Sequence, residues 1–537
     1  KNASTSQYGN IVALDESPLA EGLLWAGTDD GLVQVTEDGG ATWRKIDKFP
    51  GVPDLTYVND LVASGHDRNT VYAAFNNHKR GDFKPYVLRS ADLGKTWTSI
   101  ASDLPARGSV YALAEDHVRK DLLFAGTEFG LFATFDGGKR WKKLGSGLPT
   151  VAVRDIDIQK RESDLVLATF GRGFYVLDDY SPLRGVEPDV LARDGHLFPV
   201  KDAWMFVERT PLGGLGSKDK GFQGESYFTA PNPPVAAVFT YHLKDAPKTL
   251  AEQRKEAEAA LVKAGKPVPY PTYDRLKAER AEEPAFLLFT VADEDGQVVR
   301  VLREPAGKGL GRATWDLKYP ALDPTNPAQA APASSGPSGA LVIPGKYSVS
   351  LALSHGGKVE ELAGPAPFEV KALAAVSLPA ADRAELAAFQ RKVRRLANSV
   401  NAASGALRQI GDLAKHYRAA LKSVTAPHAD ILEAVRALEA KAEGLQLKMT
   451  GDRLLSRLDL DTLPGIAERV MTVVYEQSAS TSAPTGTQRD AYAIAEEEFG
   501  PVYEEIKRMM AEDLEAIEKR LDAVGAPYTP GRLPDWK

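Results

Sequence analysis

The amino-acid sequence predicts a multidomain, mainly β protein: β-propeller blades come first, then a β-sandwich, then a C-terminal α-helical bundle. Three observations predict this order. A motif that joins Asp, Gly and Trp recurs three times near the start of the chain, at the spacing of four-stranded propeller blades. Apolar and polar residues alternate in the middle of the chain, as in strands. After Pro379 the apolar residues follow the 3.6-residue period of amphipathic helices.

The repeated motif reads (S/T)-x-D-x-G-x-x-W, and its Asp residues lie 54 and 44 residues apart. An Asp that opens a tight turn accepts hydrogen bonds from nearby backbone amides, and Gly supplies the positive φ of the hairpin. The Trp ring then folds back over the turn. A fourth copy without Trp, at 165–179, ends the array. We therefore interpret six residues as structural, with the Trp rings in the blade core: Asp38, Trp43, Asp92, Trp97, Asp136 and Trp141.

These motifs resemble Asp-boxes (BNR repeats), which occur in sialidases, xyloglucanases, sortilin-type domains and photosystem II assembly factors. The segments LATFGRGFYVLDDYSPLR (167–184) and GLGRATWDLKYPA (309–321) resemble the C-terminal half of exported bacterial sortilin-like, or "glycosyl hydrolase", BNR-repeat proteins. The resemblance implies that residues 1–183 are four C-terminal blades of a larger propeller. It also implies that an N-terminal portion or a companion chain supplies further blades, and that the protein is exported to the periplasm or exterior of a bacterium.

Composition sets the remaining domain boundaries. A Gly/Pro-rich segment predicts a crossover that packs against the propeller, and strand patterns then predict an immunoglobulin-like or fibronectin-like sandwich. A low-complexity stretch at 326–339 predicts a flexible loop within that sandwich. The predicted divisions are the crossover at 184–235, the sandwich at 236–373 with a helical insert at 248–282, the bundle at 380–525 and a tail at 526–537.

Charge and residue usage exclude several classes of protein. The 537 residues carry 73 acidic and 66 basic side chains, so the net charge of -7 argues against a nucleic-acid partner. Cysteine is absent, which excludes disulfides, thiolate zinc sites and cysteine nucleophiles. No apolar run is long enough for a transmembrane segment. The first residues lack an initiator Met and a signal peptide, which is typical of a mature or internal fragment.

No motif indicates a metal or a cofactor. His416 and His428 lie 12 residues apart without the Glu-x-x-His spacing of a di-metal bundle site. The sequence also lacks a nucleophile elbow, a zinc-protease motif and a phosphate-binding loop. We therefore expect neither a metal nor a cofactor.

The innermost strands of the blades hold the candidate site. Alignment of the repeats puts Asp60 and Asp155 at equivalent positions beside the central channel, with Asn59 next to the first. Two carboxyl groups across a cleft could act as acid and base on a glycoside, at about 6.5–9.5 Å for inversion and about 5–5.5 Å for retention. Arg154 and Arg172 could orient an anionic group. The interpretation that we favour is structural, with the aspartates bound to backbone amides or to arginines.

The sequence thus supports three functions of different kinds. We favour a non-enzymatic binding or scaffold protein of the bacterial envelope or exterior, whose propeller recognises a protein, peptide or glycan. One alternative is a glycoside hydrolase that uses Asp60 and Asp155; the arginine triad and Tyr–Glu pair of a sialidase are not found. Another is an assembly or structural subunit of a larger complex. The sequence leaves the ligand, the oligomeric state and the number of blades open.

Overall fold

The computed structural model describes residues 9–145, 147–206, 230–322, 338–373, 380–478 and 480–533. It divides into two compact units, Lys1–Arg193 and Asp194–Lys537. Unit 1 is built from β-strands with short helices after its last sheet, and unit 2 combines β-sheets with a C-terminal helical region.

Unit 1 contains four small antiparallel sheets, each with its strands in chain order. We call them blades 1 to 4. The first three have four strands and the fourth has three. The strands of blades 1 and 2 are β1 Ile11–Glu16, β2 Leu24–Thr28, β3 Val33–Thr36, β4 Arg44–Ile46, β5 Tyr57–Ala63, β6 Val71–Asn76, β7 Tyr86–Ser90 and β8 Thr98–Ser99. Those of blades 3 and 4 are β9 Val110–Glu115, β10 Leu123–Thr127, β11 Gly130–Thr134, β12 Lys142–Leu144, β13 Val153–Gln159, β14 Asp164–Thr169 and β15 Phe174–Leu177.

Apolar side chains fill the space between neighbouring blades. Trp25 of blade 1 packs with Leu61 of blade 2 in one buried cluster, and similar clusters join blades 2 and 3 and blades 3 and 4. Consecutive four-stranded sheets that pack face to face are the blades of a β-propeller. The propeller predicted from the repeats is therefore present in unit 1.

The three repeated motifs form the same turn in each blade. In blade 1, Asp38 accepts hydrogen bonds from the Thr42 amide at 2.9 Å, the Thr42 hydroxyl at 2.6 Å and the Thr36 hydroxyl at 2.7 Å. These bonds lower the pKa of Asp38 to about 2, the bond from the Thr42 hydroxyl most of all. Asp92 and Asp136 accept equivalent bonds within their own turns. The aspartate oxygens are thus occupied by the turn itself.

The Trp residues of these motifs have three different environments. Trp141 is 4% exposed and donates from its indole N–H to the Ile100 carbonyl of the preceding blade, at 2.8 Å. Trp97 is partly buried, with its ring 5.4 Å from Phe49 of the preceding blade. Trp43 is 44% exposed, so the expectation of a core position is wrong for this residue. Each buried ring rests on the blade before its own, and the described residues provide no such blade before Trp43.

A buried ion pair fastens the segment after blade 4 to blade 3. Asp116 follows β9, and its carboxylate accepts bonds from Arg184 at 2.9 and 3.0 Å and from the Tyr180 hydroxyl at 2.6 Å. Burial alone would raise the pKa of Asp116, but the bonds from Arg184 and Tyr180 bring it below its ordinary value. Arg184 belongs to a short 3-10 helix, Ser181–Gly185, which precedes helix α1, Pro188–Ala192.

The β part of unit 2 has two main sheets over one apolar core. A three-stranded sheet has the order β16-β18-β21, a five-stranded sheet has the order β17-β25-β24-β19-β20, and β22 pairs with β23. Phe239 and Trp315 of the smaller sheet share a buried cluster with Phe289 and Val349 of the larger. The strands are β16 Gly195–Leu197, β17 Ala203–Met205, β18 Ala237–Leu243, β19 Phe286–Asp293, β20 Val298–Pro305, β21 Gly309–Trp315, β22 Lys318–Pro320, β23 Ser338–Leu341, β24 Gly345–His355 and β25 Lys358–Ala372.

Two of these strands lie where the sequence predicted only a crossover. β16 pairs with β18 and β17 pairs in parallel with β25, so residues before 236 already belong to the sheets. Three-residue strands are too short to show an alternating pattern in sequence. The predicted insert contains two helices, α2 Leu250–Lys263 and α3 Tyr273–Ala281. The immunoglobulin-like or fibronectin-like class and the domain divisions stay predictions.

Other sequence predictions fall outside the described residues. These are residues 207–229 of the Gly/Pro-rich crossover, residues 326–337 of the flexible loop and the last four residues of the tail.

The C-terminal part of unit 2 is helical, with one buried face on each long helix. Leu407 and Tyr417 on α4 pack in one cluster with Val435 on α5 and Phe499 on α8. A π-helical turn at Met509–Asp513 connects the last two helices. The helices are α4 Arg383–Leu421, α5 Ala429–Thr450, α6 Arg453–Arg457, α7 Ile466–Gln477, α8 Gly486–Arg508 and α9 Leu514–Ala523.

Candidate functional site

A pocket of about 560 Å³ opens at one end of blades 2, 3 and 4. Its volume lies within the range of small-molecule and cofactor pockets. The inner strands β9 and β13 begin there, and the β10–β11 turn and the long β6–β7 loop reach the same end. Its lining residues are His78, Phe83, Arg107, Gly108, Ser109, Tyr111, Glu128, Phe129 and Arg154.

Tyr111 forms the floor of the pocket. Its ring is 3% exposed, and its hydroxyl donates a short hydrogen bond to the Glu128 carboxylate. Burial and this bond raise the pKa of Tyr111 to about 12, so the phenol keeps its proton at neutral pH. The arrangement occupies one oxygen of Glu128 and removes Tyr111 as a source of negative charge.

Two guanidinium groups lie on aromatic rings at the pocket wall. The Arg154 guanidinium is 3.8 Å from the Tyr111 ring centroid and 5.1 Å from that of Phe170. The Arg107 guanidinium is 5.5 Å from the ring centroid of Phe83. Stacking holds the plane of a guanidinium while leaving its edge N–H groups free to donate. Within the part of the chain that the structure describes, neither arginine has a carboxylate partner.

Polar side chains beneath the floor hold the inner strands together. The Asn59 side-chain amide donates to the Tyr111 carbonyl at 2.6 Å, which ties β5 to β9. Asn76 accepts from the His78 amide at 3.0 Å and lies 2.6 Å from His78 Nδ1. Ser109 lines the pocket and is 1% exposed, and its hydroxyl has no hydrogen-bond partner among the residues that the structure describes. Asn59, a predicted ligand-binding residue, thus positions the floor from below.

Asp60 lies at the blade interface instead of in the pocket. Its Oδ2 accepts a hydrogen bond from the Leu113 amide of blade 3 at 2.7 Å. Burial raises the pKa of Asp60 to about 7, and the nearby charges of Asp155 and Asp15 add to the effect. The carboxyl group therefore joins blade 2 to blade 3.

Asp155 and Arg172 also lie outside the pocket lining. Asp155 faces Ala168 in the β13–β14 register, as Asp60 faces Ala74 in blade 2, so the two aspartates have equivalent strand positions. Asp155 is nevertheless exposed, and its Oδ1 accepts from the adjacent Ile156 amide at 2.9 Å. Arg172 is exposed in the turn between β14 and β15. Of the predicted site residues, Arg154 alone lines the pocket.

Sequence reasoning missed most of the pocket residues because they lie in loops. His78 and Phe83 come from the insertion between β6 and β7, which lengthens the first spacing between motif aspartates to 54 residues. Arg107 precedes β9, and Phe129 is in the β10–β11 turn. Long loops on a rigid scaffold often carry binding residues. The insertion was therefore the one signal that could have located this end of the blades.

Across the described ranges, no group of three or more His, Asp and Glu side chains is placed to hold a metal ion. None of the helices described is long and apolar enough to cross a membrane.

Comparison with known proteins gives structural neighbours but no family. No protein-family model matches the chain, and no curated protein matches it at a significant level. The structure "YCF48 bound to D1 peptide" has a TM-score of 0.26 and 18% identity, covering 32% of this chain and 51% of that chain. YCF48 from Cyanidioschyzon merolae has a TM-score of 0.25 and 18% identity, covering 33% and 55%.

A third neighbour is the β-propeller domain of Myceliophteria thermophila Cps50 (Swd1), with a TM-score of 0.25 and 15% identity, covering 36% and 63%. The matched part therefore spans less than two thirds of each of these three neighbours. All three are β-propellers. Similarity at this level carries no functional argument.

Proposed function

We propose that the chain is a non-enzymatic binding or scaffold protein whose propeller recognises a protein, peptide or glycan in the pocket of blades 2 to 4. The observation that supports this most directly is the pocket wall. It combines exposed Phe rings with two guanidinium groups that have no carboxylate partner, and a buried Ser109 hydroxyl that has no partner, within the described ranges. Apolar walls with a few convergent polar groups are typical of ligand pockets.

The geometry does not favour the glycoside hydrolase. Such an enzyme needs two carboxyl groups that face the same bound sugar. Asp60 instead accepts the Leu113 amide at the blade interface, and neither Asp60 nor Asp155 is among the residues that line the pocket. The raised pKa of Asp60 follows first from burial between blades, which is a structural cause.

We also propose that further blades cover both ends of the blade array, which fits the role of a subunit in a larger assembly. Leu14, Leu61 and Leu113 each lie opposite an Ala in the second strand of their blade. Leu61 and Leu113 are 3% and 7% exposed because the preceding blade covers them, whereas Leu14 is 65% exposed. The exposure of Trp43 has the same explanation.

Blade 4 supports the same proposal on its far side. In the third strands, Val33, Val87 and Leu131 occupy equivalent positions and are at most 2% exposed, since the following blade covers them. Phe174 at this position in β15 is 77% exposed. Such apolar exposure is typical of an interaction surface. A location at the bacterial envelope or exterior is proposed from the sequence resemblance alone.

An array of peptides and glycans tests the binding function. The labelled full chain, its Arg154→Glu variant and its Arg172→Glu variant are compared. Arg172 provides a matched control because it is exposed on the same blade but outside the pocket. We expect ligands that bind the wild type and the Arg172 variant but not the Arg154 variant. An array without any pocket-dependent ligand would contradict the proposal.

Cysteine reactivity tests the further blades. Because the chain has no cysteine, Phe174→Cys introduces a single reporter thiol. We expect maleimide to modify it quickly in the chain alone and slowly in the natively assembled protein. Tyr270→Cys, at a side chain that is 99% exposed, should react quickly in both. Equal reactivity of Phe174→Cys in the two preparations would refute the covered face.

A further inference from the structure

We infer that the pocket of blades 2 to 4 binds an acidic peptide segment, with Arg154 holding a side-chain carboxylate and Phe129 contacting a neighbouring apolar side chain. This inference rests on the proposed binding function and specifies its ligand. The pocket lining contains two guanidinium groups, those of Arg107 and Arg154, and one carboxylate, that of Glu128. One oxygen of that carboxylate is already bonded to Tyr111. The net charge of these three lining side chains is therefore positive.

Arg154 is the better placed of the two cations. Its guanidinium lies between the rings of Tyr111 and Phe170, which fixes the plane of the group. A fixed guanidinium can donate two parallel N–H bonds to a planar carboxylate with little loss of side-chain freedom. Because Tyr111 is itself held by Glu128 and by Asn59 below it, the support beneath Arg154 is rigid.

The pocket lining offers further polar groups. Arg107 stacks on Phe83 and adds a second positive charge at the rim. Ser109 lines the pocket, and its buried hydroxyl has no hydrogen-bond partner among the described residues. A buried hydroxyl without a partner costs free energy, which a ligand polar group would recover. A peptide amide or carboxylate oxygen could supply that bond.

The aromatic rings favour a peptide over an acidic sugar. Sugar stacking needs open ring faces, but guanidinium groups already lie over Tyr111, Phe170 and Phe83, so Phe129 is the one of these four rings without a cation. Phe129 is 46% exposed and carries no cation, so an apolar side chain can pack against it. The combination suits a segment in which an acidic residue is next to a large apolar one.

Two blocked dipeptides test the inference in the full-length chain. N-acetyl-phenylalanyl-glutamyl-amide and its glutaminyl counterpart differ only in the charge of one side chain, and free galacturonate represents an acidic sugar. Binding is measured by ligand-observed NMR titration with the wild type, Arg154→Gln and Arg172→Gln. We expect the glutamyl peptide to bind about tenfold more tightly than the glutaminyl peptide. That preference should disappear in Arg154→Gln and persist in Arg172→Gln.

Several results would overturn the inference. They are equal affinity for both dipeptides, a preference that persists in Arg154→Gln, no binding of either dipeptide, or binding of galacturonate as tight as that of the glutamyl peptide. A neutral ligand from the array that requires the pocket would also overturn it while leaving the proposed binding function intact. Circular dichroism checks that both variants fold. We expect that they do, because neither substitution replaces a buried residue.

Discussion

Replacing Asp60 by Asn should change how the stability of unit 1 depends on pH. Burial raises the pKa of this carboxyl from 3.8 to about 7. Between these two values the unfolded chain loses the Asp60 proton while the folded chain keeps it. The contribution of Asp60 to the free energy of unfolding therefore falls as pH rises from about 4 to about 7, and this contribution changes no further above that range.

The size of the effect follows from the shift. One pKa unit corresponds to about 1.4 kcal/mol, so a shift of about three units sets an upper value of about 4 kcal/mol. Partial solvent access reduces this, and we expect a contribution of about 2–4 kcal/mol. Asn cannot ionise, and its Oδ1 can still accept the Leu113 amide bond. Asp60→Asn should therefore be stabilising relative to the wild type at pH 8, and much less so at pH 4.5.

Urea unfolding followed by Trp fluorescence at pH 4.5, 6 and 8 measures this difference. The two compact units can unfold separately, so the transition assigned to unit 1 is the one to compare. Glu37→Gln removes an exposed carboxyl of the same unit and should have little effect at any pH. If Asp60→Asn destabilises the protein equally at all three pH values, the carboxyl is ionised in the fold and our reasoning is wrong.

Two further substitutions test the contacts that join the blades. Arg184→Met leaves the Asp116 carboxylate buried without its cation, which should lower the free energy of unfolding by about 3–5 kcal/mol. Urea unfolding measures this change, and a loss below about 1 kcal/mol would contradict the role of the pair. Gly126→Ala would place its Cβ 2.8 Å from the Val153 carbonyl of the next blade, and we expect it to lower stability by about 1–3 kcal/mol. Gly65→Ala is the control because its nearest neighbour would be 3.9 Å away, and equal melting temperatures for the two Gly variants would refute the close approach.

The repeat made the propeller predictable, because the turn in each repeat is stabilised by residues that are close together in the sequence. Asp38 bonds to Thr36 and Thr42, all within seven residues, so a motif search finds the turn without knowledge of the fold. Strands such as β16 and β17 have no such local signal. They form because partners more than 40 residues away pair with them, and three residues carry too little pattern to predict that pairing.

The pocket was less predictable because its lining residues come from three blades and most of them lie in loops. Arg154 was identified through its inner-strand position, but the rings that hold it belong to Tyr111 on another strand and Phe170 in a turn. Nothing in the spacing of these residues along the chain indicates that they meet. The burial of Trp43 was not predictable from its motif either. The motif is intact, but the surface that would bury the ring is not part of the same repeat, and the ring is exposed.

The two aspartates show why equivalent positions need not have equivalent roles. Asp60 and Asp155 each begin a row across their blade, and that row ends at Val87 in blade 2 and at Phe174 in blade 4. In blade 2 the row faces the next blade, which supplies an amide for the carboxylate and buries the apolar side chain. In blade 4 both ends of the row are exposed. In blade 2 the carboxyl group at this position is therefore a contact between blades. We propose that Asp155 and Phe174 form one surface on which a further blade packs, with an amide for the carboxylate and an apolar side chain for the ring.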